Sequence, residues 1–150
     1  MTVLGAIFGG LALALAAAAA LPGAAIAGKT WAPLTAGLTL VGAGIALRRR
    51  AVRELGRFFT YTVKVVPGQT VVSSGPYRLV RHPSYVGNLL VTAGLGLAAD
   101  NWVSLACALF VPLAGHVVHI RYEERLLEAE LGEPYRDYER RTRRLVPGLW

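Results

Sequence analysis

The chain has 150 residues, enough for one domain, and carries a formal net charge of +7. It is 54% hydrophobic and only 17% charged, where soluble domains carry about 25% charged residues. The charges are segregated: residues 1–47 and 82–120 hold almost none, while 48–81 and 121–150 are dense with them, which excludes a uniformly solvated globule and points to a chain living in two solvents.

Four apolar stretches approach the ~20 residues that cross a bilayer. The first runs from Val3 to Leu21, ahead of Pro22 and Gly23. It has no basic start, since the first basic residue is Lys29, so it reads as a membrane helix rather than a cleaved signal peptide. The second runs from Trp31 to Leu47. The third opens at Pro83 and ends near Ala99, and the fourth runs from Trp102 to Ile120. Gly37, Gly42, Gly44, Gly87, Gly94 and Gly96 are the small residues that let membrane helices approach closely. Cys107 lies alone in an apolar run, which excludes an intrachain disulfide and leaves it a packing role.

The predicted architecture is therefore all-α and integral to the membrane: four transmembrane helices plus cytoplasmic C-terminal helices. Residues 1–47 form one hairpin, 48–82 a cytoplasmic segment, 83–120 a second hairpin and 121–150 a cytoplasmic tail. Apart from Lys29, every Lys and Arg falls in the 48–81 segment or the tail, so both termini belong on the cytoplasmic side. Trp31 and Trp102 then open their helices at the opposite face, in an aromatic belt. Arg48, Arg49, Arg50, Arg53 and Arg57 lie beside apolar runs, with no nucleic-acid-binding module in company. Anionic lipid headgroups, not nucleic acid, are their expected partner.

The tail has helical order of its own. Arg121 to Leu131 continues the fourth helix, Gly132 ends it, and Pro134 sits in the first turn of another. Tyr135 and Tyr138 share a face of that helix, and Asp137 is spaced to pair with Arg141. Leu145, Pro147, Leu149 and Trp150 read as an interfacial anchor.

Chemistry concentrates in two clusters. In the run from Gly75 to Gly87, Gly75-Pro76 is a turn and Pro83 opens the third helix. The free N–H groups of that first turn suit an anionic group such as an amino-acid carboxylate. Arg81 and His82 stand beside it, Gly87 leaves space for something flat, and the rings of Tyr77 and Tyr85 suit a cation. The second cluster is Arg121-Tyr122-Glu123-Glu124-Arg125. Two acids at a membrane boundary are costly unless paired or solvated. They would either pair with Arg81, Arg121 or Arg125, or accept hydrogen bonds from ribose hydroxyls or an ammonium. His116 and His119 share a face of the fourth helix, but two histidines do not make a metal site, and packing or polar lining is expected of them.

The run Gly-Pro-Tyr-Arg-x-x-Arg-His-Pro-x-Tyr-x-Gly at 75–87 resembles the signature of the isoprenylcysteine carboxyl methyltransferase family. So do Gly56-Arg57-Phe58-Phe59, Glu123-Glu124, Gly132-Glu133-x-Tyr135-x-x-Tyr138 and the Pro147-Gly148-Leu149-Trp150 ending. The resemblance covers roughly residues 50–150 and extends to phospholipid N-methyltransferases. It departs from the pattern at Arg143, where many members have proline. It implies an S-adenosylmethionine pocket, releasing S-adenosylhomocysteine, on the cytoplasmic side. Tyr77, His82, Pro83, Tyr85 and Gly87 would form one wall with Arg81, Glu123 and Glu124 would contact the cofactor, and Tyr135 and Tyr138 would close over it.

Methyl transfer from a sulfonium to a carboxylate needs no general base, because a free carboxyl titrates near pH ~4. Arg81, Arg121 or Arg125 is expected to orient that carboxylate, and a lipid-like acceptor would enter sideways from the bilayer. An amine acceptor, as in phospholipid N-methylation, would instead need a base such as Glu124 or a histidine. Two further readings are an NADPH-dependent membrane reductase of the sterol type, whose C-terminal part has a similar Arg-His-Pro-x-Tyr core, and a non-catalytic scaffold.

Overall fold

In the computed structural model the described residues are 3–28, 30–60, 62 and 64–146. Lys29 and the Pro147–Trp150 ending lie outside them, and with them the first-loop charge and most of the expected anchor. Helix α1 spans Val3–Ala20 and stops ahead of Pro22, as the restriction on the residue preceding a proline requires. Helix α2, Ala32–Leu55, carries Pro33 in its first turn and ends at Gly56, whose φ is +52°. Helices α3 (Pro83–Ala98), α4 (Trp102–Leu131) and α5 (Glu133–Arg141) complete the order. Gly132, at φ +61°, breaks α4 from α5 in the left-handed region that glycine tolerates.

Helix α2 runs two turns past Leu47, where the apolar stretch ends. Ala, Arg, Glu and Leu are good helix formers, and nothing interrupts them until Gly56. The boundary predicted at residue 47 is a change from apolar to basic composition, not a change of backbone. Among the described residues two helices, α1 and α4, are long and apolar enough to cross a membrane. Helix α3 has 16 residues, and the last third of α2 carries four arginines. All-helical architecture is present, then, with two spans meeting the length and apolarity test rather than four.

Glycine sets the packing. An added Cβ on Gly37 would meet the Gly94 carbonyl at 2.5 Å, and one on Gly44 would meet the Gly87 carbonyl at 2.6 Å. The contacts are reciprocal, with Gly94 against Gly37 and Gly87 against Gly44. Two pairs seven residues apart on each helix seam α2 antiparallel to α3, backbone to backbone. Gly42 takes no part and faces open space. Helix α1 packs on α4: Gly10 faces Pro112, and Ser104 Oγ donates to the Ala14 carbonyl at 2.6 Å. Phe8, Leu15, Leu38, Phe110 and Val118 point outward and exposed, an apolar perimeter.

The two interhelix loops at one end are tied together. Asn101 caps α4 by accepting from Val103 and Ser104 N–H, each at 3.0 Å, and donates to the Leu21 carbonyl. Asp100 accepts from Ala27 N–H. At the other end Ala51, Tyr77, Tyr135 and Tyr138 form a buried cluster walled by Leu55, Val71, Val72, Leu127 and Leu131. Val71, Val72 and Tyr77 therefore pack with residues of α2, α4 and α5, and both sequence motifs meet there.

Candidate active site

The tail is held by a short parallel pairing. Val80 bridges Arg143, Arg81 N–H donates to the Arg143 carbonyl at 2.7 Å, and His82 N–H donates to the Arg144 carbonyl at 3.1 Å. Extended backbone at Arg143, where proline is frequent in the family the motifs resemble, is thus part of the docking. The pairing sets Arg81, His82 and Arg144 around one carboxylate from α4. Glu124 Oε1 accepts from Arg81 Nε at 2.8 Å and lies 3.2 Å from His82 Nε2, and Oε2 accepts from Arg144 Nε at 2.8 Å. Arg81 Nη1 donates to tail carbonyls, those of Thr142 at 2.8 Å and Glu139 at 3.2 Å, and Nη2 lies 3.7 Å from Glu139 Oε1. Burial opposes the Glu124 charge, but the hydrogen bonds from His82, Arg81 and Arg144 outweigh it and hold this carboxyl at about 2. The result is a buried ionic knot joining α3, α4 and the tail.

One residue earlier, Glu123 faces the other way, into a cavity of about 870 Å³. Its lining mixes polar and aromatic side chains, among them Tyr77, His82, Tyr85, His119, Tyr135 and Tyr138, with apolar ones, among them Val3, Leu4 and Ile7 of α1, Phe58 and Leu126. Tyr85 is clamped in a three-ring stack, 5.4 Å from His82 and 4.8 Å from His116, with its hydroxyl donating to Glu123 Oε2 at 2.7 Å. His82 Nδ1 lies 3.8 Å from the same oxygen. Glu123 Oε1 accepts no hydrogen bond among the described residues. Tyr138 donates to the Tyr77 carbonyl at 2.8 Å, fixing α5 against the turn that carries Tyr77. Burial raises the Tyr77, Tyr135 and Tyr138 hydroxyls well above their ordinary value, so all three are neutral donors.

The residues singled out from sequence divide on this geometry. Tyr77, His82, Tyr85, Glu123, Tyr135 and Tyr138 converge on the cavity. Glu124 does not face it, because both of its oxygens are engaged by the knot. Arg81 reaches the rim, but its guanidinium is committed to Glu124 and the tail carbonyls. Arg121 and Arg125 are exposed and line no part of it; the α4 face that carries Glu123 and Glu124 turns them outward. Pro83 is fully buried at the start of α3. The bare face of Gly87 is not open space for a ligand: α2 fills it, with Gly44 O 2.7 Å and Arg48 Cβ 2.9 Å from where a Cβ would stand.

Arg48 was grouped with the headgroup-facing arginines, yet it is half-buried, lines the cavity and makes no hydrogen bond or ion pair among the described residues. Its signal is periodic: Gly37, Gly44, Arg48, Ala51 and Leu55 lie on one face of a helix carried past Leu47. Arg144 had no motif to reveal it.

The phospholipid methyltransferase family profile matches residues 32–133. Protein-S-isoprenylcysteine O-methyltransferase B of Arabidopsis thaliana is 33% identical over 113 residues, 74% of this chain and 57% of that one. The cobalt-zinc-cadmium resistance protein CzcN of Cupriavidus metallidurans is 36% identical over 127 residues, 80% of this chain and 53% of that one. This chain spans somewhat over half the length of these relatives. The eukaryotic intramembrane Ras methyltransferase ICMT (isoprenylcysteine carboxyl methyltransferase) has the same fold, with a TM-score of 0.78 at 23% identity over 95% of this chain and 51% of that one. The family profile covers the α2–α3 seam, the Arg-His-Pro-x-Tyr run and the paired acids of α4, and the chain belongs to the phospholipid methyltransferase family.

Proposed function

We propose that this chain methylates the carboxylate of a lipid-like acceptor, of the isoprenylcysteine kind named for its relatives, using S-adenosylmethionine at the cytoplasmic membrane face. In this reading all four helices from α1 to α4 span the bilayer, with tilt and local thinning accommodating the short α3, and both ends of the stretch lie inside. The observation that carries it is one cavity lined both by tyrosines, with a Glu123 oxygen that accepts no hydrogen bond among the described residues, and by apolar side chains of α1.

The residues present fit the cofactor. The cavity falls in the range of about 300–1,000 Å³ usual for small-molecule sites. Tyr77, Tyr85, Tyr135 and Tyr138 offer ring faces and neutral hydroxyls to a cationic, adenine-bearing ligand. Glu123 Oε1 is an acceptor for a ribose hydroxyl or an ammonium. When bound, S-adenosylmethionine supplies an electrophilic methyl group on a positively charged sulfur.

The protein's part is placement. Arg48 is a half-buried cation with no hydrogen bond or ion pair among the described residues, and such a charge calls for an anionic partner. It holds the acceptor carboxylate, which is ionised at neutral pH and needs no base to activate it. The apolar side chains of the lining take the hydrocarbon, and α5, through Tyr135 and Tyr138, helps exclude water from the reacting groups. Arg81 acts at one remove, as the positioning residue that docks the tail.

Transfer of labelled methyl from S-adenosylmethionine to a farnesylcysteine carboxylate analogue, beside the matching amine, tests this in detergent-purified protein. Methylation of the acid alone is expected. Arg48→Gln should raise its KM about tenfold or more while S-adenosylhomocysteine affinity stays within twofold. Methyl appearing only on the amine would sink the carboxylate reading.

A further inference from the structure

The 3-10 turn Gly75–Arg78 places neighbouring side chains in different compartments. Tyr77 is buried against the main cavity, while Arg78 is exposed and lines a second pocket, of about 410 Å³. Tyr138 stands between the two and contributes to both. The proposed methyl-transfer reading uses Tyr77, Arg81 and His82 from this motif and leaves Arg78 without a task.

Three side chains that line the second pocket, Arg78, Arg141 and Ser73, are short of partners among the described residues. Arg78 makes no hydrogen bond or ion pair among the described residues. Among the described residues Arg141 donates only through Nε, to the Asp137 carbonyl at 3.2 Å, which leaves both terminal nitrogens available. Ser73 is likewise without a hydrogen-bond partner among the described residues. None of the described residues that line the pocket is a carboxylate. The acids closest along α5 are already matched: Glu133 and Asp137 pair with Arg140, and Glu139 lies 3.7 Å from Arg81. Two guanidiniums and a hydroxyl in one concavity, with the local acids satisfied elsewhere, make a field of one sign with a ready set of donors.

We propose that this pocket is a phosphate-binding site, separate from the methyl-transfer cavity and independent of what reacts there. Arginine donates pairs of parallel N–H groups, a geometry that matches phosphate oxygens, and Ser73 supplies a third donor. Val71 and Pro134 give the pocket an apolar side, and its volume leaves room for the group that bears the phosphate. A phospholipid headgroup and a free phosphate share this chemistry. The ligand would also lean on Thr142, whose carbonyl accepts from Arg81, so occupancy would brace the tail that closes the main cavity.

The test uses the whole chain in non-ionic detergent and phosphate-free buffer. Inorganic phosphate and, separately, dihexanoyl phosphatidic acid are titrated by calorimetry against wild type, Arg78→Gln, Arg141→Gln and, as a control, the exposed Arg121→Gln. Saturable binding of at least one probe is expected, weakened about tenfold or more by Arg78→Gln and by Arg141→Gln but not by Arg121→Gln, with unchanged helical circular dichroism. Binding of inorganic phosphate identifies a free phosphate as sufficient; binding of the lipid alone identifies a headgroup. Binding of neither probe, or binding that Arg78→Gln and Arg141→Gln leave at wild-type strength, overturns the proposal.

Discussion

Around Glu124 three donors converge on one buried carboxylate, while around Glu123, one residue earlier on the same helix, a carboxylate faces a cavity with one oxygen unengaged. The two regions share a residue type, a helix and a neighbouring histidine. They differ in what surrounds them. The Glu124 side is filled by protein groups that satisfy it, so its charge serves the docking of the tail. On the Glu123 side one oxygen accepts no hydrogen bond among the described residues, and in the proposed reading that oxygen serves a ligand. The lesson is that an acid pair at a helix exit is not one functional unit; the half that the protein satisfies holds the structure, and the half it leaves unsatisfied marks the site.

The contrast breaks most sharply at the knot. Glu124→Gln removes the counter-charge from a guanidinium only 9% exposed, and is expected to cost roughly 3–5 kcal/mol in thermal or denaturant unfolding. The same knot sets an acid limit. Glu124 is held at about 2, below its ordinary 4.5, so the folded chain binds its proton less readily than the unfolded one. Its contribution is complete above about pH 4.5 and is lost as pH falls toward 2. Wild type should therefore lose stability across that window, and Glu124→Gln should flatten the dependence. A mutant that melts with wild type would place Glu124 outside the structure's support.

Gly87→Ala comes next, at about 1–3 kcal/mol, because the new methyl would meet backbone of α2 that no rotamer change can move. A thermal shift with S-adenosylhomocysteine affinity lowered through displaced Arg48 and Tyr85 is expected; an unaltered melting temperature would contradict the seam. Smallest in stability is Glu123→Gln, within about 0.5 kcal/mol for a partly exposed group, but S-adenosylhomocysteine affinity should fall about tenfold. The reverse pattern, stability lost and affinity kept, would exchange the roles of the two acids.

Much of this was legible in the residues. Pro83, Gly132 and Pro134 punctuate the helices where they stand because caps and breakers act locally. The convergence of Tyr77, Tyr85, Glu123, Tyr135 and Tyr138 followed from motifs in order. What stayed hidden depends on long-range packing. Nothing local distinguishes Arg48 from Arg49 and Arg50 until the α2–α3 register sets which face is inside. Nothing local says that Gly87 receives a helix rather than a ligand, or that Arg144 returns from the tail to Glu124.

The central claim is that the cavity beside Glu123 holds an adenosyl sulfur ligand. Calorimetric titration of the folded, detergent-purified chain with S-adenosylhomocysteine, with NADPH run in parallel, tests it most directly. Saturable micromolar binding of S-adenosylhomocysteine alone, weakened by Glu123→Gln, is the predicted result. Binding of NADPH alone, or of neither ligand by protein that melts cooperatively, would contradict it.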